Sequence, residues 1–398
     1  MKELSRTASA VKASTTLAIA SLAKEMQLSG IDVVGFGTGE PDFRTPENIC
    51  EAAHRAIDEG KTKYTPAAGI PALRQAVADR LREDFGLDYK PAQIVVASGA
   101  KHNVYIMMAA LLNPGDEVIV PAPYWVTYEE VVRMNGGIPV SVCGSEENLF
   151  KITPEQLEEG ITERTKLFMI NNPCNPTGTL YTEDELRALC AVCVKHDLYI
   201  MADEIYAGLV YDGQKFVSVA SLGEEIKERT ILITGVSKSY AMTGWRIGYA
   251  AANEQIAQVM ANYVSHSTGA PSTISQIAAV EALNGPQDTI YAMRDVFEKR
   301  RNYFVDRVSR IEGVSCVKPE GAFYIMMNIS AQRGRILGGR EIRSGDDFAL
   351  SLLEQEHVAV VPCSGFGAPD YVRWTYAASL EEIREGLDRL ERFLKEKE

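Results

Sequence analysis

Positive charge is in deficit in this chain of 398 residues: 41 Lys and Arg stand against 54 Asp and Glu, a formal net charge of −13. Nucleic acids and anionic membranes select the opposite balance, so both are poor partners for it. If the ligand is an anion, the charge that meets it must be local, on individual Arg and Lys residues. Long hydrophobic runs are also missing: no stretch approaches the ~20 apolar residues of a membrane span. The apolar stretch 16–23 follows Lys2, Arg6 and Lys12, but it is short and shows no clear cleavage site. A short N-terminal helix is expected there rather than a signal peptide. Repeats and low-complexity linkers are absent.

Cysteine is sparse and odd in number, seven residues at 50, 143, 174, 190, 193, 316 and 363. In a chain of this size that pattern implies reduced thiols and a cytoplasmic location. Cys190-x-x-Cys193-x-x-His196 has the spacing of three metal ligands, but no second CxxC completes a tetrahedral site. Leu186, Leu189, Cys190 and Cys193 share one helical stripe, so core packing is the better reading and no metal is expected.

What is present is alternation. Thr45-Pro46-Glu47 predicts a helix start with Thr45 as cap, and Ile49, Ala52, Ala53, Ala56 and Ile57 form its apolar stripe. Pro71 and Gly86 bracket a second helix. Apolar strands are predicted at 94–97, 117–120, 166–170, 198–202, 230–234 and 247–251, separated by helices. Such spacing implies an α/β fold, a largely parallel sheet covered on both faces. After about residue 285 the texture changes. A charged helix over 287–311, strands near 322–328 and 358–361 and a last helix from Leu380 read as a smaller α+β domain. The length favours two domains as well. Residues 331–347 carry Arg333, Arg335, Arg340 and Arg343 and read as a mobile solvated loop.

Open parallel sheets bind ligands beyond the carboxyl ends of their strands. There lie Ser98-Gly99-Ala100-Lys101, a turn into a helix whose free N–H groups suit a phosphate. Beyond the next strand lie Pro121-Ala122-Pro123-Tyr124-Trp125, then Asn171 to Gly178 with its Asn-Pro steps, then Asp203-Glu204-Ile205-Tyr206. The last group is Gly235-Val236-Ser237-Lys238-Ser239, followed by Met242-Thr243-Gly244-Trp245-Arg246. A buried acid at a strand end needs a facing cation. Two other patterns fail. Gly35-Phe36-Gly37-Thr38-Gly39 resembles a dinucleotide fingerprint, but its last glycine falls one place early and Glu40-Pro41 follows where a helix should run. Ser237-Lys238-Ser239 lacks the glycine that a phosphate loop needs before its lysine.

In their order along the chain, Gly39-Glu40-Pro41-Asp42-Phe43, Lys63-Tyr64-Thr65, Tyr124-Trp125, Asn175-Pro176-Thr177-Gly178, Asp203-Glu204-Ile205-Tyr206, the run from Ser237 to Gly248 and Arg373 resemble the class I aminotransferases of the pyridoxal-phosphate fold type I superfamily. The pattern is most similar to the prokaryotic-type aspartate aminotransferase subgroup, some of whose members use prephenate. The resemblance implies a large domain, 46–285, with a mostly parallel seven-stranded sheet between helices, and a small α+β domain from 1–45 and 286–398. It implies pyridoxal 5′-phosphate (PLP) as cofactor, in a ping-pong exchange between amino and keto acids.

The implied roles follow residue by residue. Lys238 is the lysine to which the cofactor attaches and the base for the Cα proton. Asp203 partners the pyridine nitrogen. Tyr206 and Asn175 bond the phenolic oxygen, and Trp125 stacks on the ring. Gly99, Ala100, Lys101, Ser237 and Arg246 hold the phosphate end, with Tyr64 reaching it from the other subunit of a homodimer. Gly235 stands where many relatives have serine, which implies one phosphate contact fewer. For the substrate, Arg373 grips the α-carboxylate, with Gly37, Trp125 and Asn175 beside it. Lys101, with Ser14 and Thr16 nearby, meets a side-chain carboxylate, which favours aspartate or a related dicarboxylic acid with 2-oxoglutarate. Two cis prolines are implied, Pro123 and Pro176. The alternatives are a glutamate–prephenate or aromatic aminotransferase, a PLP β-lyase, a nicotinamide oxidoreductase built on 35–39, and a binding protein without catalysis.

Overall fold

Strands that are apolar at nearly every position leave no face for water, and here both faces are covered. In the computed structural model the described residues are 2–5, 8, 9, 11 and 15–395, with the backbone alone described at 15–18. The central sheet has seven strands: β1 (Ile94–Ala97), β2 (Glu117–Ala122), β3 (Ile138–Cys143), β4 (Thr165–Asn171), β5 (Tyr199–Asp203), β6 (Thr230–Gly235) and β7 (Gly248–Ala251). Their order is β1-β7-β6-β5-β4-β2-β3. Alternate side chains serve different layers: Val95 and Ala97 pack on one side, Ile94 and Val96 on the other. That is why the strands read as unbroken hydrophobic runs rather than as alternation.

Four of the six strand pairings are parallel, and β7 runs antiparallel to both its neighbours. The reversal has a consequence for the site. The parallel strands and β1 deliver to one sheet edge the residues that follow them, whereas β7 delivers there the residues that precede it, Thr243–Arg246. Strand β3 was not anticipated. It lies at the sheet edge with mostly half-exposed or exposed side chains, so the continuous apolar signal is missing.

The helix Pro71–Phe85 begins at its proline and ends at Gly86 with φ 68°, as expected. The helix Glu47–Asp58 corrects the reading of its start. Thr45 does not cap it. Its hydroxyl donates to the Ala241 carbonyl and accepts from Trp245 Nε1, so it ties the loop to the turn that precedes β7 instead. Ile49, Ala52, Ala53 and Ala56 are buried, but Ile57 is exposed.

The smaller unit is built on β8 (Ser315–Cys316), β9 (Tyr324–Asn328), β10 (Val361–Pro362) and β11 (Tyr371–Thr375), all antiparallel in the order β10-β11-β9-β8. The helices Asp288–Val308, Gly345–Glu356 and Leu380–Lys395 flank its core of Phe297, Phe304, Phe348, Trp374 and Phe393. The expected solvated loop at 331–347 is a short hairpin, Ile336–Leu337 against Arg340–Glu341. Its arginines are engaged: Arg333 with Asp370, Arg340 with Glu354, Arg343 with Asp347, and Arg335 with Gln332 and the Leu394 carbonyl. Among the described residues no helix is long and apolar enough to cross a membrane, and no cluster has metal-ligand geometry. Cys190 and Cys193 are buried core residues, and His196 bonds Glu158 at 2.6 Å.

Candidate active site

At the carboxyl edge of the central sheet a cavity of about 480 Å³ lies against the small unit. Its lining joins Ala100 and Lys101 past β1, Trp125 past β2, Asn175 past β4, Asp203 and Tyr206 past β5, and Ser237 and Lys238 past β6. Arg246 enters from before β7, and Gly37 and Arg373 close the other side. One surface therefore gathers most of the residues picked from the sequence. Gly99 lies just behind it against Arg246. Tyr64 is fully exposed and away from it, and Ser14 lies outside the described residues, as does the side chain of Thr16.

The phosphate end is a cradle for an anion. Gly99 caps the helix Ala100–Leu111 with φ 87°. A Cβ there would come within 2.4 Å of Arg246 Nη2, so only glycine permits the approach. Arg246 holds a left-handed backbone, φ 58°, and its guanidinium donates to the Thr243 carbonyl at 2.9 Å and the Ser98 carbonyl at 3.2 Å. Strain of this kind in a non-glycine residue gathers at functional sites. Ala100 and Lys101 open the helix, where the first N–H groups lack an acceptor one turn back, and both line the cavity. Gly235, where a serine was expected, has no room for one. Its Cβ would stand 2.8 Å from Gly248 Cα, across the β6–β7 pair.

Asp203 is buried at the end of β5. Tyr128 donates to its Oδ2 at 2.7 Å and the Ile205 N–H to its Oδ1 at 3.2 Å. Burial raises its pKa to about 6 against those two bonds and the charge of Lys238. A carboxylate this buried and still short of a cation fits a protonated ring nitrogen. Its neighbour Glu204 takes the opposite side of the strand, bonded by Ser218 and Val219, and burial pushes it up to about 8.

Lys238 Nζ bonds the Gly39 carbonyl. Its pKa falls to about 8, chiefly through burial, with Arg373 and Arg246 also lowering it and Glu40 and Asp203 opposing. An amine near 8 supplies far more of the neutral nucleophile at pH 7 than a lysine at its ordinary 10.4. Across the cavity Arg373 is held by Asn175 Oδ1, 3.0 Å from Nη1, and by the Gly37 carbonyl, 3.1 Å from Nη2. It lies between the rings of Tyr324 and Phe366, and its buried Nε lacks a partner. Lys101 Nζ stands 4.8 Å from the Trp125 ring centre, and burial lowers its pKa.

Sequence reasoning missed Tyr128, Tyr324, Phe366 and Glu40. Tyr128 had a legible signal, standing one turn beyond Trp125 on the helix that opens at Thr127. Tyr324 reaches the cavity from β9, paired with β11, and Phe366 from the short turn Ser364–Phe366 after β10, neither of which a local pattern announces.

Residues 31–390 match the family described as aminotransferase class I and II. The chain belongs to that family. It is a PLP-dependent aminotransferase of fold type I, and the cradle, the buried Asp203 and the depressed Lys238 all suit that cofactor. The aspartate aminotransferase of Bacillus subtilis is 50% identical over 392 residues, covering 98% of this aminotransferase and 99% of the relative. The aspartate/prephenate aminotransferase of Cereibacter sphaeroides is 47% identical, with 99% of each chain covered. The solved structure of the Thermus thermophilus aspartate aminotransferase with maleate superposes at TM-score 0.92, with 41% identity and coverage of 99% and 100%.

Proposed function

We propose that this aminotransferase is a cytoplasmic homodimer that passes the amino group of aspartate, or a related dicarboxylic amino acid, to 2-oxoglutarate. The observation that carries the reading is a second cation in the cavity. Arg373 offers a planar fork to one carboxylate, and Lys101, held over Trp125, offers a point charge to another. Of the four cations among the described lining residues, Lys238 and Arg246 are assigned to the cofactor, and the remaining two, Lys101 and Arg373, suit a doubly charged ligand. The aspartate specificity of relatives about 50% identical over the whole chain, and the dicarboxylate maleate in the Thermus thermophilus structure, support it.

When bound, PLP supplies an electron sink for the negative charge that develops at the substrate Cα. The chain does the rest. Asp203, fixed by Tyr128, holds a proton on the ring nitrogen. Tyr206 and the amide of Asn175 bond the phenolic oxygen, and Trp125 covers a ring face. The Gly99–Lys101 turn, Ser237 and Arg246 take the phosphate, with the partner subunit contributing a tyrosine equivalent to the exposed Tyr64. Lys238 Nζ would hold the cofactor and, once the incoming amine has displaced it as a free amine, would be placed to take the Cα proton. The Gly37 region, Ser14 and Thr16 complete the substrate end. With large and small domains divided at 46–285 against 1–45 and 286–398, closure over the bound carboxylate excludes water.

Prephenate is the second reading. It is a bulkier dicarboxylate, Lys101 suits it equally, and a relative 47% identical carries both activities in its name. Steady-state kcat/KM across aspartate, glutamate with prephenate, and aromatic donors decides between them, with Lys101→Ala alongside. Loss of Lys101 is expected to lower kcat/KM for dicarboxylates by about 10- to 100-fold, the worth of a hydrogen bond to a charged group, and to spare monocarboxylates. An unchanged dicarboxylate preference overturns the substrate reading.

A further inference from the structure

Two tyrosine hydroxyls meet at the centre of the cavity wall. Tyr206 Oη and Tyr324 Oη lie 3.0 Å apart, both residues are buried, and their rings cross at 84° with centres 5.8 Å apart. Tyr324 opens β9 opposite Thr375, so Arg373, two residues earlier on β11, lies diagonally across the same face. Its guanidinium carbon sits 4.4 Å from the Tyr324 ring centre, with Phe366 at 5.3 Å. The Gly39 backbone closes on the same hydroxyl, since a Cβ there would stand 3.0 Å from Tyr324 Oη. One side chain thus touches the arginine of the substrate end and the tyrosine of the cofactor end.

Proton counting fixes what the pair does. A phenol has one proton to donate. If Tyr206 gives its proton to the cofactor's phenolic oxygen, the proton between the two hydroxyls belongs to Tyr324. A hydroxyl that accepts a bond becomes a better donor in the next one. A cation over a ring is attracted to its face, and a ring on the guanidinium restricts the fork to one plane.

We propose that Tyr324 is a positioning residue that joins the two ends of the site: its ring braces Arg373 for the substrate carboxylate, and its hydroxyl donates to Tyr206, committing the Tyr206 proton to the phenolic oxygen. The inference rests on the reading of Tyr206 given above. The groups facing the pair are Arg373 and Asp203, with Tyr128 and Tyr376 as uncharged titratable neighbours.

The test uses the PLP-loaded protein and two readouts besides turnover. The first is the pH midpoint of the visible absorbance change of the cofactor held on Lys238. The second is the Kd of maleate, measured by calorimetry. Tyr206→Phe removes a bond to an anionic oxygen, and its midpoint is expected to rise by about one to two units. Tyr324→Phe keeps the ring and removes the hydroxyl. Its midpoint should rise by roughly a quarter of that shift, with maleate binding unchanged, and the shift should vanish in the Tyr206→Phe background. Tyr324→Leu removes the brace as well and should weaken maleate by roughly 2- to 30-fold. Folding of each variant is checked by its Tm. A Tyr206→Phe midpoint that moves while Tyr324→Phe stays at the wild-type value overturns the proposal. So does a Tyr324→Phe shift that persists without the Tyr206 hydroxyl, or a Tyr324→Leu protein that binds maleate normally. A Tyr206→Phe midpoint that does not move overturns the reading of Tyr206 itself.

Discussion

The two walls of the cavity are made differently. The central-sheet wall is a set of strand ends, most giving residues from the four positions that follow them, and its side chains are fixed from within the same unit: Tyr128 donates to Asp203, and Arg246 donates to the Thr243 and Ser98 carbonyls. On the small-unit side the cation is Arg373, held by Asn175, 198 residues away, and by Gly37, 336 residues away. The first wall suits a resident cofactor that needs a fixed frame. The second suits a ligand that comes and goes, because the bond that Arg373 makes to the strand-end residue Asn175 is one that a bound carboxylate can take over. The difference predicts that Asp203 and Arg373 can be changed with separate effects on cofactor and substrate, while Lys101, Trp125 and Asn175 serve both.

The sharpest way to break the comparison is Asp203→Asn on the cofactor wall. Loss of the charge facing the ring nitrogen should lower kcat on the order of 10³-fold for every amino donor alike, with donor KM little changed. A variant that discriminated among donors would mean that the walls are not separable. Next is Arg373→Lys on the substrate wall. A point charge replacing the planar fork should lower kcat/KM roughly 100-fold for all α-carboxylate substrates while leaving the cofactor's absorbance in place. A changed cofactor spectrum would join what the comparison divides. The smallest effect is expected for Tyr128→Phe, a few-fold fall in kcat, since Asp203 keeps its charge and its bond from Ile205. Because the Tyr128 bond holds the Asp203 pKa down, its removal should also move the acid limb of the pH–rate profile upward.

The same division explains what could be read from sequence. The cofactor wall was legible because its residues follow apolar strands at fixed short distances, as Asp203 follows 199–202 and Lys238 follows 230–235. Arg246 was legible only through its run of neighbours, since it precedes an antiparallel strand that local pattern reads like any other. The substrate wall was legible through family likeness alone. Its bracing ring Tyr324 is placed by β-pairing between segments some fifty residues apart, as in Tyr324 with Thr375, and Phe366 comes from the turn between β10 and β11. Thr45 misled because a threonine before Pro-Glu has the pattern of a cap, and its hydroxyl had a better use in Trp245 and Ala241. Two arginines of 331–347, Arg333 and Arg340, misled because their carboxylate partners lie elsewhere in the chain, at Asp370 and Glu354.

The central claim is that Lys238 is the residue that holds the cofactor, made ready by burial among cations. Cofactor-free protein is mixed with PLP across a pH series, the adduct is trapped by borohydride reduction, and the labelled lysine is mapped by mass spectrometry. Because its pKa is lowered to about 8, the neutral amine appears as pH rises through that value. The account predicts a single label, on Lys238, whose rate of formation climbs with a midpoint near 8. A label on Lys101 or spread over surface lysines, or a rate still climbing toward the ordinary lysine value of about 10.4, would contradict it.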